Sequence, residues 1–194
     1  MFSVLRQKPG FYRRLWRLSL PIILQNLITT SLGFVDTFMV GLLGNNELSA
    51  VTAANTPIFL LQVIIFGLMS GLSVLACQYW GRGDAASINR VMGVAVYAGL
   101  AISGLSALLL FLFPEGVMAL VGVSYVFNAV SSVYVGMQQS TENPGFGMAV
   151  FGVSMLLNTF LNYCLIFGHL GAPRLGITGA ALATLASRMV EFAI

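Results

Sequence analysis

One acidic side chain lies inside the first long apolar stretch of this 194-residue sequence. Asp36 is enclosed by SLGFVDTFMVGLLG, at positions 31–44. A carboxylate among lipid-facing residue types costs ~3 kcal/mol or more at the centre of a bilayer. Such a residue therefore usually faces a polar cavity, where it binds or relays a cation or a proton. The alternative is that Asp36 lies near the end of its helix and contacts headgroup water.

A second polar pair lies in the later apolar stretch LNTFLNY. Asn158 and Asn162 are four residues apart, which places them on the same face of a helix. Carboxamides in lipid leave hydrogen-bond donors unsatisfied, so we expect both to point inward, toward a cavity, water, a cation or Asp36. The alternative is a purely structural role, in which both side chains only bond to neighbouring helices.

Further polar residues recur inside the apolar stretches and are candidates for lining a transport pathway. They are Gln25, Asn26, Asn55, Gln62, Tyr134 and Gln138. No GxxxxGK[ST] loop, HExxH motif, metal-ligand cluster or Ser/His/Asp set accompanies them, and the single histidine, His169, lies in a glycine-rich loop. This distribution predicts a transport protein that is not an enzyme and carries no cofactor.

The composition places these residues in a membrane. The chain is 58% hydrophobic and 8% charged, with a mean hydropathy of +0.91, whereas soluble domains carry roughly 25% charged residues. Six apolar runs of ~20 residues or more predict an all-α polytopic protein, because helices satisfy their backbone groups within lipid. The predicted spans are about 15–43, 48–80, 91–113, 121–140, 146–167 and 176–194.

The basic residues predict the orientation of these spans. Five of the nine precede the first apolar run, namely Arg6, Lys8, Arg13, Arg14 and Arg17. Residues 1–14 are therefore predicted to be a cytoplasmic segment, and the polar stretch 78–90 a cytoplasmic loop. The loops near Asn45 and His169 are predicted to lie outside. The net charge of +3 is concentrated on these flanks, so nucleic acid is not an expected partner. The first run is too long for a signal peptide, and we interpret it as a retained helix.

Small residues predict local packing. The GxxxG spacing of Gly67 and Gly71 indicates a tight helix contact. Cys77 and Cys164 are predicted to be buried as small apolar residues.

Prolines and glycines predict where helices are interrupted or end. Pro57 is expected to interrupt helix 2, and Pro114 to Gly116 to turn the chain before helix 4. Arg188 and Glu191 are predicted near the cytoplasmic interface, where they pair or snorkel.

The motifs, in their order, resemble the multidrug and toxic compound extrusion (MATE) family, in its bacterial NorM-like branch. They are PIILQN, FVDTFMVGLLG, QYWGRGD, STENP, LNTFLNY and LGAPRLGITGAALAT, and the resemblance runs from about Leu15 to the end. It implies six transmembrane helices that form one lobe of a normally twelve-helix transporter in a bacterial inner membrane.

The resemblance also implies an activity and a site. The activity is secondary active antiport, in which cationic or amphipathic organic compounds leave in exchange for sodium ions or protons. The cation- or substrate-binding residues it implies are Asp36, Asn158 and Asn162, with Thr184 as a further oxygen ligand. Some members carry an acid where this chain has Asn162. The resemblance therefore leaves open whether sodium ions or protons are the coupling ion. Apart from sodium at Asp36, no metal is expected.

Two departures from the family pattern leave alternatives open. The sequence stops where the sixth helix finishes, so we expect a partner lobe, or a second copy, to complete the transporter. The connection near Gly122 to Tyr125 is shorter than in the family. The alternatives are a truncated fragment or assembly partner that does not transport, and a lipid-type flippase of a related family, which the DTFMVG and LNTFLNY motifs disfavour.

Overall fold

The computed structural model describes residues 9–111 and 116–194. Within these ranges all regular structure is α-helical, in agreement with the predicted fold class. The helices are α1 Pro9–Gly41, α2 Asn45–Arg82, α3 Ala85–Phe111, α4 Gly116–Ser140, α5 Pro144–Phe167 and α6 Ile177–Ala193. Most of the predicted turn after α3, and residues 1–8 of the basic segment, lie outside the described residues.

The surface of the bundle is apolar, as lipid requires. Large side chains such as Phe34, Phe66 and Leu156 are more than 70% exposed, while the polar side chains of Ser124, Asn162 and Glu191 are buried. By length and composition, α1 to α5 each contain a stretch that could cross a membrane. The 17 residues of α6 extend ~26 Å, somewhat less than the ~30 Å of a bilayer core. The chain is an integral membrane protein.

Helix packing brings α1, α5 and α6 together. α1 packs mainly on α5, which packs on α6, and α4 contacts both α3 and α6. α2 lies against α3 and α4. Buried alanines such as Ala129 and Ala183 occupy the helix contacts, because a small side chain lets two helices approach closely. The acid of α1 and the amides of α5 therefore face the same interior.

The predicted cytoplasmic loop at 78–90 is mostly helical. α2 continues to Arg82 and ends at Gly83, whose φ of 71° suits glycine. α3 then begins at Ala85 instead of near Val91, because Asp84 accepts hydrogen bonds from the Ser87 N–H at 3.0 Å and the Ser87 hydroxyl at 2.6 Å. These bonds hold the pKa of Asp84 below its usual value. One glycine and one capping acid thus suffice to reverse the chain.

Other helix boundaries also differ from the predictions. α1 begins at Pro9, so Arg13 and Arg14 belong to its first turns and not to a separate segment. Pro21 is accommodated inside α1, and α2 runs without interruption through Pro57. α4 and α5 end where predicted but start five and two residues earlier, and α6 differs from its predicted bounds by one residue at each end.

Two predicted packing features are wrong. No atom of another element lies within 4 Å of where a Cβ would stand at Gly67 or Gly71, so the GxxxG spacing marks no tight contact among the described residues. Cys164 is buried as predicted, but Cys77 is exposed. Both errors concern α2, because its position at the edge of the bundle leaves much of its surface uncovered.

A close approach of α5 and α6 does occur at Gly179. A Cβ atom there would lie 2.6 Å from the carbonyl oxygen of Leu165. We expect Gly179→Ala to force the helices apart and cost about 1–3 kcal/mol of stability. Gly152→Ala is the control, since its nearest neighbour would be the Ile28 Cδ1 at 4.0 Å. Unfolding by sodium dodecyl sulfate in mixed micelles measures both, and equal stability of the two variants would contradict the expectation.

Candidate functional site

A chain of hydrogen bonds crosses from α1 through α5 to α6. The Asn162 amide nitrogen donates to Asp36 Oδ1 and, at 3.0 Å, to Asn158 Oδ1. The Asn158 amide nitrogen donates to Thr184 Oγ1 at 3.4 Å and to Ser187 Oγ at 3.3 Å. The structure thus joins all four residues that the family resemblance implied, and adds Ser187. We call these five residues the Asp36 network.

Helical spacing positions each member. Asn158 and Asn162 are one turn apart on α5, and both are almost completely buried. The hydroxyls of Thr184 and Ser187 donate to carbonyls of their own helix, those of Ala180 and Thr184 respectively. Because these donors are used within α6, the oxygen lone pairs remain to accept from α5 or to bind a cation. The network therefore presents oxygen atoms.

One oxygen in the network has no partner. Asn162 is 0% exposed, so water does not reach its Oδ1. This oxygen also accepts no hydrogen bond from the described residues. Leaving a buried acceptor unsatisfied costs about 1–3 kcal/mol. Hard cations prefer carboxylate, carbonyl and hydroxyl oxygens, and the Asp36 carboxylate, the amide oxygens and Thr184 Oγ1 are of this kind. The donor set fits a monovalent hard cation, while a proton would bind at Asp36 itself.

A buried ion pair lies beside the network on α6. Arg188 donates to Glu191 Oε2 at 2.6 Å, and the two side chains are 18% and 0% exposed. Arg188 also attracts Asp36 electrostatically. The predicted pairing is therefore present. Packing of α6 against α4 and α5 buries the Glu191 side chain within the protein, while its predicted depth near the cytoplasmic interface stays a prediction.

Sequence reasoning missed Ser187 and the interior position of Arg188 and Glu191. A signal was available, because Thr184, Ser187, Arg188 and Glu191 follow the i, i+3, i+4, i+7 pattern of a single helix face. The alanines and glycines between them made α6 resemble a plain apolar span. A polar stripe of this kind in a membrane helix indicates the side that faces protein.

The six predicted pathway residues are not part of the network. Four of them are exposed, namely Asn26, Asn55, Gln62 and Tyr134. Gln138 is half-buried and donates to the Tyr134 hydroxyl at 3.1 Å. Gln25 is buried and accepts from Gln139 of α4 at 2.9 Å, so it contributes to helix packing and lines no open surface in this conformation. Among the described residues, no hydrogen bond links these six to Asp36.

The described ranges contain no cluster of three or more His, Cys, Asp or Glu side chains that could hold a metal ion. The sodium site predicted at Asp36 therefore depends on amide and hydroxyl oxygens around a single carboxylate.

The MatE family profile matches residues 21–123, which is more than half of the chain. A probable multidrug resistance protein NorM of Thermotoga maritima is 28% identical over 94% of this chain and 43% of its own length. The multidrug resistance protein PmpM of Pseudomonas aeruginosa is 29% identical over 89% of this chain and 40% of its own. The chain thus spans about two fifths of the length of these relatives.

Solved structures show the same fold. An outward-facing multidrug resistance MATE family transporter has a TM-score of 0.79 at 21% identity, over 93% of this chain and 43% of that one. The MATE transporter VcmN of Vibrio cholerae, in its bent form, has a TM-score of 0.73 at 24% identity, over 94% and 44%. At such identities the likeness concerns the fold. The helices of this chain adopt the arrangement of part of a MATE transporter.

Proposed function

Because the chain belongs to the MATE family, which consists of membrane transporters and not enzymes, we propose that it forms one lobe of an ion-coupled multidrug exporter in a bacterial inner membrane. The relatives named as multidrug resistance proteins support export of organic compounds. A second six-helix lobe, or a second copy of this chain, would complete the cleft, because alternating access needs two units that move about a shared site.

The observation that carries the coupling proposal is the unpartnered Asn162 Oδ1 beside Asp36. A sodium ion at Asp36, with the Asn162 amide turned so that Oδ1 in place of its nitrogen faces the ion, satisfies the oxygen and neutralises the carboxylate. A proton on Asp36 neutralises it equally. An organic cation is attracted by Asp36 only while the carboxylate is charged and unoccupied. The ion and the drug therefore compete for one charge, and this competition couples ion entry to drug release.

The network takes one monovalent ion at a time. Asp36 is its single carboxylate, since position 162 is an amide and Glu191 is already paired with Arg188. Arg188 adds positive charge nearby, which favours release of a bound cation. We therefore expect this lobe to bind one monovalent coupling ion in each transport cycle.

Equilibrium binding of tetraphenylphosphonium to the purified chain in nanodiscs tests the proposal. Sodium chloride is titrated against choline chloride at constant ionic strength, and the pH is varied in a separate series. We expect sodium or protons to weaken tetraphenylphosphonium binding, because all three need the Asp36 charge. Binding that depends on neither sodium nor pH, or absence of binding, would contradict the proposal.

The alternative function, a fragment or assembly partner that does not transport, is distinguished from the proposal by ion-dependent binding, since both predict that this chain alone causes no drug efflux. Under our proposal the 194 residues alone do not export drugs, since one lobe supplies one wall of the cleft. Dye efflux from a drug-sensitive strain that expresses this chain measures this. Energy-dependent efflux would contradict the need for a different second lobe and would leave a second copy of this chain as the other wall, while ion-dependent binding without efflux would distinguish a transport lobe from an inert fragment.

The proposed orientation places the start of α1 in the cytoplasm. Arg13, Arg14 and Arg17 at that end, and Arg82 and Arg90 around the α2–α3 turn, supply the positive charge that is retained inside. A cysteine introduced at Asn46, in a background without Cys77 and Cys164, should react with a membrane-impermeant maleimide added outside the cell. Reaction from the cytoplasmic side alone would reverse the orientation.

A further inference from the structure

A basic cleft lies where the start of α1 meets the turn between α4 and α5. It has a volume of about 610 Å³ and is lined by Gly10, Arg13, Arg14, Arg17, Leu18 and Glu142. It is separate from the Asp36 network, which lies toward the other end of α1. Among the described residues, no atom of another element lies within 4 Å of where a Cβ of Gly10 would stand.

Positive charge exceeds negative charge in this cleft. Arg14 is held by Glu142, with nitrogen–oxygen distances of 2.5 and 2.7 Å. Arg13 and Arg17 are four residues apart on one face of α1, and no acid among the described residues forms a salt bridge with either. Like charges at this spacing repel each other, so an anion bound between them removes a repulsion as well as forming new contacts.

Glu142, in the turn between α4 and α5, has a backbone conformation that is unfavourable for a residue other than glycine. Glu142 has a φ of 63°, in the left-handed region that favours glycine. From this backbone position the Glu142 side chain forms the ion pair to Arg14, in which both side chains are partly exposed. It orients one guanidinium along the wall of the cleft and leaves Arg13 and Arg17 to face a ligand.

Aromatic side chains place the cleft at the depth of lipid headgroups. Phe11 and Trp16, on the same turns of α1, are 51% and 63% exposed. Exposed tryptophan beside basic residues at the end of a membrane helix is typical of the membrane–water interface. The arginines therefore lie at the level where lipid phosphates lie, with apolar surface of α1 continuing into the bilayer.

We propose that this cleft binds the phosphate of an anionic phospholipid. Guanidinium groups bind phosphate oxygens through paired, charge-assisted hydrogen bonds, and basic pockets between membrane helices suit anionic headgroups. The acyl chains lie along the exposed apolar face of α1, where Leu20, Ile23 and Leu27 are lipid-accessible. The bound lipid connects the start of α1 to the α4–α5 turn.

Lipid retention by the purified 194-residue chain tests this proposal. The protein is taken from nanodiscs of phosphatidylcholine and phosphatidylglycerol, and the lipids that remain bound are counted by native mass spectrometry. Wild type should retain phosphatidylglycerol preferentially. Arg13→Gln with Arg17→Gln should lower that preference by about thirtyfold, at roughly fivefold per arginine. Arg13→Lys with Arg17→Lys keeps the charge and should keep most of the preference, which also shows that the cleft tolerates substitution.

Arg90→Gln is the matched control, because it removes an arginine on the same predicted side of the membrane but outside the cleft. It should leave the preference unchanged. Equal retention of both lipids by wild type, or an unchanged preference in the double glutamine variant, would overturn the proposal. An equal loss of preference in Arg90→Gln would show that the effect comes from total positive charge, and would overturn the proposal that the cleft binds the lipid. Displacement of the lipid by millimolar inorganic phosphate would assign the cleft to a free anion.

Discussion

Asp36→Asn is expected to abolish the dependence of tetraphenylphosphonium binding on sodium and pH while the protein still folds and inserts. Asparagine has nearly the size of aspartate and can still bond to Asn162. It carries no charge, so neither ion nor drug gains from binding beside it. Coupling free energies between sites are typically 1–3 kcal/mol, or about 5- to 150-fold in affinity. In wild type we expect an effect within this range, and in Asp36→Asn a ratio near one.

Two further variants separate charge from coordination. Asn158→Ala removes a neutral oxygen and its bonds to Thr184 and Ser187, but leaves the carboxylate, so the ion dependence should weaken without disappearing. Gln62→Ala is the control, since Gln62 is polar and exposed and lies outside the network. An Asp36→Asn variant that keeps the wild-type ion dependence would show that the acid only contacts interfacial water, and would place coupling elsewhere.

The second large effect is expected at Glu191. Removing one member of a buried ion pair leaves the other charge uncompensated, which typically costs 3–5 kcal/mol. Glu191→Ala should therefore strongly destabilise the bundle, since Arg188 is only 18% exposed and cannot easily reach water. Glu191→Gln keeps the shape and one hydrogen bond, and should lose less. Unfolding of the purified variants in mixed micelles measures these differences.

A double variant distinguishes lost charge pairing from lost packing. Arg188→Met with Glu191→Leu removes both charges, and replacement of a buried pair by apolar residues is often neutral or stabilising. We expect it to recover most of the stability lost in Glu191→Ala. Glu142→Ala, which breaks the exposed pair with Arg14, should have a far smaller effect because water screens it. If Glu191→Ala and Glu142→Ala were equally mild, the α6 pair would not be buried in the working protein.

Periodicity and composition were enough to predict the helical fold, but the ends of the helices depended on single residues. α3 begins at Ala85, six residues earlier than the apolar pattern indicates, because the Asp84 carboxylate caps the helix. Arg13 and Arg14 are helical since an exposed amphipathic end can continue α1 beyond the lipid. Hydropathy reports where a chain meets lipid, whereas capping and backbone bonds decide where a helix ends.

The Asp36 network could be predicted more completely than its surroundings. The i, i+4 spacing of Asn158 and Asn162 placed both amides on one face, and the need to satisfy them inside a membrane pointed that face inward. The burial of Glu191 could not be predicted in this way, because it depends on how α6 packs against α4 and α5. The exposure of Cys77, Gly67 and Gly71 likewise follows from the edge position of α2, which a single sequence does not show.

The central claim is that ion and organic cation share the Asp36 carboxylate, and carbon-13 NMR of that group tests it most directly. The chain is labelled at aspartate Cγ, and Asp36→Asn assigns its signal against the one other aspartate, Asp84. We expect tetraphenylphosphonium to shift the Asp36 signal, and sodium or acid to displace the cation and move the signal to the position of the sodium-bound or protonated carboxyl group. An Asp36 signal that responds to none of the three, while tetraphenylphosphonium still binds, would contradict the account.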